Sequence, residues 1–334
     1  MIGDIINVLV TIIGATSWGT TLANLISSNG VSTVLLTRSE AERTLLENNN
    51  SIPSLEDIPL STSLEISSDA NTILPKTDVV VLAVPSNRIQ ENLERIPHNL
   101  KDSVIFVSGI KGLNSSTGER MSSIIERNIP IAKNRIVVLS GPNLSREIAQ
   151  NIPSSTVIAC ENLQLAQTIK SIFNNRNFGI HTSDDVTGVE LGGAFKNIIA
   201  ITAGIVDGMS YGANSKSIIV NKGINEILLL VTRLGGKAET VFGLSGLGDL
   251  IATCFSLLSR NRYVGEQIGK GKQLNEIVNN MKNVAEGINT TQAALVLANQ
   301  HNLNLPLIEG TGSILFNNSN PHEIINMLLS KFAE

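Results

Sequence analysis

The chain predicts an α/β fold, a doubly wound and mostly parallel sheet, followed by an all-helical domain. Three observations carry that expectation. Short β-branched runs alternate with helical stripes as far as residue 186, the rhythm of βαβ units whose sheet is covered on both faces. A glycine-rich turn joins the first strand to the first helix. Beyond Thr187 the strand signal vanishes, and helical patterns continue to Glu334. At 334 residues the chain exceeds one ordinary core, so residues 1–186 and 187–334 are expected as two domains.

Ile5 to Ile13 is apolar and β-branched almost throughout, as a strand buried on both faces must be. GATSWGT follows, with Gly14, Thr16 and Gly19 at the three marked positions of a G-x-G-x-x-G turn. Leu22, Leu25 and Ile26 stripe a helix ending near Asn29-Gly30, and Val31 to Thr37 completes a βαβ unit of roughly 30 residues. Such a Rossmann-like turn aims backbone N–H groups and the positive end of a helix at a pyrophosphate. Threonine in place of the second glycine must turn its side chain away or replace a backbone contact with its hydroxyl. Arg38 stands where an acidic residue would bind the ribose hydroxyls of NAD. A cation there suits the 2′-phosphate of NADP; the alternative is a solvated arginine at a strand end.

After a polar segment, Val79 to Val84 reads as a buried strand, and Ile89, Leu93 and Ile96 pattern the next helix. Val104 to Val107 leads into SGIKG, which puts Lys111 just past a strand's carboxyl end, where open α/β sheets hold their ligands. Ile136 to Leu139 leads likewise into Ser140-Gly141-Pro142-Asn143. Ser155 to Ala159 and Phe178 to His181 extend the sheet around a helix patterned by Leu165, Ile169 and Ile172.

The helical domain opens with GVELGGAFKNIIAITAG, Gly188 to Gly204. Lys196 sits there on a face of small residues, with Gly192 and Gly193 one turn below it and Ala200, Ala203 and Gly204 above. Read alone, this lysine either snorkels to solvent or is a functional group beside which the glycines make room for a ligand. Further stripes cover Ser215 to Leu234, Leu250 to Leu258, Leu274 to Met281, Thr290 to Asn299 and Pro321 to Phe332. Asp249, closing GLSGLGD, reads as an N-cap or as a substrate contact. Ser259-Arg260-Asn261-Arg262 reads as an anion clamp of two guanidinium groups, or as solvated charge after a helix. In Asn283 to Thr290, Glu286 is either a surface carboxylate or a site group.

Composition narrows the class. A net charge of −4 leaves no nucleic-acid footprint and no polybasic membrane patch, and 42% hydrophobic with 16% charged residues suits a globular chain. No apolar run reaches the ~18 residues of a membrane helix, so no membrane insertion is expected. Cys160 and Cys254 form no CxxC pair, which points to a reducing, cytoplasmic setting. His98, His181, His301 and His322 lack metal-ligand spacing, so no metal is expected.

These motifs, in this order, resemble the bacterial-type NAD(P)-dependent glycerol-3-phosphate dehydrogenase family. The matching residues are GATSWGT at 14–20, AVPS at 83–86, KG at 111–112, SGP at 140–142, GVELGGAFKN at 188–197, GLGDL at 246–250, SRN at 259–261 and AEG at 285–287, which span nearly the whole chain. The resemblance implies hydride transfer between NADP or NAD and a small phosphorylated three-carbon substrate, interconverting dihydroxyacetone phosphate and sn-glycerol 3-phosphate for phospholipid synthesis. It implies Lys196 as proton donor and acceptor, and substrate contacts at Lys111, Gly141, Asn143, Asp249, Ser259, Arg260 and Asn261. It further implies cofactor contacts at Ser17, Trp18, Arg38, Lys111, Ser145, Arg260, Val284 and Glu286, alongside Gly14 and Gly19 of the turn, and a homodimer. Thr16 and Asn143-Leu144-Ser145 depart from the family's pattern. Reductases of the 6-phosphogluconate and ketopantoate type are an alternative that the pairing of GLGDL with SRN disfavours. A dinucleotide-binding regulator without catalysis would leave Lys111, Lys196 and Asp249 idle.

Overall fold

The structure, a computed structural model, describes residues 8–281 and 284–330. Residues 5–7 of the expected first strand, Asn283, and residues 331–332 of the expected last helix lie outside the described residues. The chain forms two compact units: Met1–Ile110 with Met121–Val186, and Lys111–Arg120 with Thr187–Glu334.

In the first unit the chain runs β1 (Leu9–Ile13), α1 (Ser17–Ser28), β2 (Ser32–Leu36), α2 (Glu40–Asn49), β3 (Ser51–Ile52), β4 (Leu55–Pro59), β5 (Leu64–Ser67), α3 (Ala70–Ile73), β6 (Val79–Leu82) and α4 (Ile89–Leu93). It continues through β7 (Ile105–Ser108), α5 (Met121–Asn128), β8 (Ile136–Ser140), α6 (Ser145–Ala149), β9 (Ser154–Ala159), α7 (Leu163–Phe173) and β10 (Phe178–Ser183). Eight strands form one sheet in the order β10-β9-β8-β7-β6-β1-β2-β5, parallel except where β8 meets β9. The near-continuous apolar runs follow from burial on both faces. Val10 and Ile12 join Leu22 and Ile26 in one cluster, while the alternate residue Ile13 joins Leu82 and Phe106 in another. The polar segment before Val79 holds five elements not anticipated from sequence: helices α2 and α3, β5 on the sheet edge and the separate antiparallel hairpin β3–β4.

The second unit is helical: α8 (Val186–Gly208), α9 (Gly212–Arg233), α10 (Ala238–Val241), a π-helical turn at Leu244–Gly248, α11 (Asp249–Phe255), α12 (Arg260–Gly269), α13 (Leu274–Asn279), α14 (Glu286–His301), α15 (Pro306–Phe316) and α16 (Pro321–Ser330). Helix α8 is buried at every residue from Gly188 to Val206. By length and composition it could cross a membrane, contrary to the sequence reading, yet it is enclosed within its own unit. A helix apolar all round belongs in a core, and its glycines let neighbouring backbone approach. A Cβ on Gly192 would sit 3.3 Å from the Ser245 carbonyl oxygen, and one on Gly204 would run into the backbone of Arg262. The room these glycines make is therefore taken by the chain itself rather than by a ligand.

The segment Lys111–Arg120 groups with the helices, a departure from a single cut at residue 186. Leu113 enters the helical core, Arg120 pairs with buried Glu190 at 3.0 Å, and Lys111 pairs with Asp249 at 2.6 Å.

Candidate active site

The turn after β1 is built for close approach. Gly14 has φ +116, and a Cβ there would lie 2.8 Å from the Ala83 carbonyl oxygen; one on Gly19 would run into the Gly14 carbonyl. Thr16 is the N-cap of α1. Its hydroxyl accepts the Gly19 N–H at 3.0 Å and donates to the Ala83 carbonyl at 2.9 Å, so the side chain points into the unit. The departure from glycine thus costs no space at the turn's outer surface, and the first N–H groups of α1 keep no intrahelical partner. That cradle fits a pyrophosphate. Ser17 donates through Oγ to the Pro53 carbonyl at 2.7 Å, and Trp18 through Nε1 to the Gly109 carbonyl at 3.2 Å. Arg38, beyond β2, is paired with Glu42 at 2.9 Å.

At the end of β8, Gly141 is buried and lies so near Thr156 that a Cβ would stand 2.8 Å from its hydroxyl. Asn143 donates through Nδ2 to Thr156 Oγ1 at 3.0 Å. Its Oδ1, and the Ser140 hydroxyl, are buried without a hydrogen-bond partner among the described residues. Unpaired buried acceptors and hydroxyls of this kind suit a bound polar ligand. Ser145 opens α6.

In the helical unit, a single carboxylate bridges two ammonium groups. Lys196 on α8 donates to Asp249 Oδ1 at 2.7 Å and to Thr253 Oγ1 at 2.5 Å, while Lys111 donates to Asp249 Oδ2 at 2.6 Å. Side-chain exposure is 7% for Lys196, 17% for Lys111 and 3% for Asp249. Lys196 therefore does not snorkel. Gly248, not Asp249, precedes α11, and both Asp249 oxygens face lysines, so the capping role does not describe it. Burial pushes the Lys111 ammonium down to about 8, helped by the Lys196 charge and opposed by Asp249.

The expected clamp separates into one available guanidinium and one structural one. Arg262 is buried, donating to Asp207 at 2.6 Å and to the Ser256 carbonyl at 3.1 Å, and pairing with Glu266 at 3.0 Å. Arg260 is exposed and makes no hydrogen bond or ion pair among the described residues. Ser259 caps α12, accepting the Arg262 N–H at 3.2 Å. Asn261 ties three elements together, donating to Asn197 Oδ1 at 2.8 Å and accepting the Gly287 N–H at 2.9 Å. Glu286 opens α14 and acts on Arg260 through its charge, and Val284 is exposed just before it.

Two site residues escaped the sequence reading. Thr253 lies four residues after Asp249, on the same face of α11, and that spacing was the available signal. Asn197, next to Lys196, donates weakly to the Lys111 carbonyl at 3.4 Å and joins Lys111 to Asn261.

Comparison with known proteins supplies the family. The model for the N-terminus of NAD-dependent glycerol-3-phosphate dehydrogenase matches residues 9–166, and that for its C-terminus matches residues 185–326. A Dehalococcoides mccartyi protein named glycerol-3-phosphate dehydrogenase [NAD(P)+] is 41% identical over 97% of this chain and 91% of its own length. A Fusobacterium nucleatum protein of the same name is 37% identical over 96% of both. The crystal structure of glycerol-3-phosphate dehydrogenase from Coxiella burnetii superimposes with a TM-score of 0.91 at 29% identity, covering 96% of this chain and 98% of that one. A ketopantoate reductase from Ralstonia eutropha shares the fold alone, with a TM-score of 0.58 at 12% identity over 96% of this chain and 99% of that one. With a Gly14–Gly19 cradle in one unit and a two-lysine carboxylate bridge in the other, the chain belongs to the NAD-dependent glycerol-3-phosphate dehydrogenase family.

Proposed function

We propose that this chain interconverts dihydroxyacetone phosphate and sn-glycerol 3-phosphate with NADP(H) or NAD(H), with Lys196 as proton donor and acceptor. The observation that carries the reading is the Lys196–Asp249–Lys111 bridge, in a chain whose relatives bear the name of that enzyme. When bound, reduced nicotinamide would supply the hydride for C2 of the ketone. As the carbonyl oxygen gains negative charge, the Lys196 ammonium donates a proton to it, and the product is the secondary alcohol. In the reverse direction the same nitrogen takes the hydroxyl proton. Asp249 and Thr253 hold Nζ in a fixed direction, so the proton need not be searched for. Lys111 adds a second positive charge beside the developing alkoxide.

Arg260 suits the phosphate, since its planar fork is unengaged while Arg262 is not. Ser259 retains a hydroxyl hydrogen for the same anion, and Asn261 positions Asn197 and the start of α14. Gly14, Gly19, Ser17, Trp18 and Arg38 line the dinucleotide path, with Lys111, Ser145, Arg260, Val284 and Glu286 as further contacts, while Gly141 and Asn143 face the substrate, Asn143 through its unpartnered Oδ1. The product feeds phospholipid synthesis in the cytoplasm, and the active form is a homodimer, which sedimentation analysis tests.

The deciding assay mixes purified chain, NADPH and dihydroxyacetone phosphate and follows the loss of reduced-nicotinamide absorbance, with a ketopantoate control. Lys196→Ala is expected to lower kcat by roughly 10²–10⁴ while NADPH still binds. Near-normal turnover of that variant would remove Lys196 from the mechanism.

A further inference from the structure

Arg38 lies where a βαβ unit meets the adenosine ribose of its dinucleotide, yet its guanidinium already has an anion on it. The chain leaves β2, turns at Arg38-Ser39 and enters the ten-residue helix α2, with Ser39 accepting the Glu42 N–H at 3.2 Å. Glu42 reaches back over that helix end. Its Oε2 accepts the Arg38 backbone N–H at 2.7 Å, and its Oε1 accepts Arg38 Nη2 at 2.9 Å and Nε at 3.3 Å. A backbone amide, a guanidinium fork and the positive end of a helix are the donors that suit a phosphate, and here a carboxylate of the chain fills them. Glu91 contributes a second negative charge acting on Arg38. Arg95 brings another guanidinium to the same turn, donating to the Thr37 carbonyl at 2.9 Å. The Arg38 side chain is 56% exposed and that of Glu42 21%, so the pair can open toward solvent.

We propose that Glu42 sets the choice between NADP(H) and NAD(H), because its carboxylate holds the place on Arg38 that a 2′-phosphate must take. The proposal rests on the dinucleotide reading above and extends it to a residue outside the glycine turn and the strand end. A 2′-hydroxyl can leave the Arg38–Glu42 pair closed and donate to the carboxylate. A 2′-phosphate must displace Glu42 and then remain beside it, two anions sharing one guanidinium. Exposed ion pairs are weak, so the displacement is feasible and both cofactors bind, but their ratio is set by this carboxylate.

Calorimetry on the full chain with NADP⁺, NAD⁺, 2′,5′-ADP and 5′-AMP tests it without recourse to turnover. Glu42→Gln keeps the length and the capping geometry while removing the charge. It is expected to tighten NADP⁺ and 2′,5′-ADP about three- to tenfold, with NAD⁺ and 5′-AMP changed by less than about twofold. In an Arg38→Ala background the same substitution is expected to have no selective effect. Equal changes in both cofactors, or a gain for NADP⁺ that persists without Arg38, would overturn the role of Glu42 while leaving dinucleotide binding intact. Failure of the unaltered chain to bind either dinucleotide would overturn the underlying reading and this inference with it.

Discussion

At Asp249 one carboxylate faces two ammonium groups, so the three side chains together leave an excess positive charge in a nearly dry place. That excess is what an alkoxide or a phosphate ester seeks. Lys111 makes it pH-dependent. Its ammonium is held down at about 8, so raising the pH through that value strips its proton and its charge. The kcat/KM for dihydroxyacetone phosphate is expected to fall on an alkaline limb near pH 8, by up to about tenfold per pH unit above it. Lys111→Arg keeps its charge in that range, so a pH–rate profile of this variant with an unmoved limb would assign the titration elsewhere. The two arginines of the SRNR run should part company in the same way. Arg260→Ala is expected to weaken substrate binding by about 1.5–3 kcal/mol with the melting temperature unchanged. Arg262→Ala should lower stability by roughly 1–3 kcal/mol, since it removes a buried guanidinium from Asp207, Glu266 and the Ser256 carbonyl, although Lys216 and Lys270 stay on the two carboxylates. Steady-state kinetics and thermal melts on both variants check the split. Sequence could place these arginines two positions apart but could not say which faced inward. That depends on a helix, α12, whose charged start hid its apolar face.

Elements with one dominant period were legible and mixed ones were not. The run β1–turn–α1–β2 declares itself because every other residue of the strands feeds an opposite sheet face, while Leu22 and Ile26 recur at helical spacing. Helix α15 carries Gly310, Thr311 and Gly312 in its middle, which interrupt the apolar stripe of Leu307, Ile308, Ile314 and Leu315. The hairpin β3–β4 is too short to show alternation, and β5 is a half-exposed edge. Glycine in α8 signals close approach without naming the neighbour, because backbone and ligand leave the same mark on a sequence, and at Gly192 and Gly204 that neighbour is backbone. The crossing of α8 and α12 now gives that mark a test. Alanine for glycine on an exposed helix stabilises by roughly 0.5–1 kcal/mol, whereas Gly204→Ala should destabilise by about 1–3 kcal/mol or more, as its Cβ pushes the Arg262 backbone away. A thermal melt at or above the parent's midpoint would contradict the packing.

For the molecule as a whole, the sheet unit offers a cradle whose ligand should report on it directly. NADP⁺ at about a hundred times its Kd is expected to stabilise the chain by about 2.7 kcal/mol, and a melting midpoint indifferent to the dinucleotide would contradict the fit of the Gly14–Gly19 turn. The order of the motifs made the family legible from sequence, since no single one is specific. What sequence could not convey was that the stretch after β7 belongs with the helices. Its partners lie far along the chain, Lys111 being 138 positions from Asp249. That separation bears on how the enzyme is born. Synthesis delivers the loop from Lys111 to Arg120 before any of α8 exists, so Leu113 emerges without its core and Lys111 without its counter-ion. Such distant pairings close late, after the local ones have formed. A chain interrupted near Val186 would have every strand of the sheet in hand and neither Asp249 nor Lys196, so the acid proposed for the reaction is made only after the whole sheet has been synthesised.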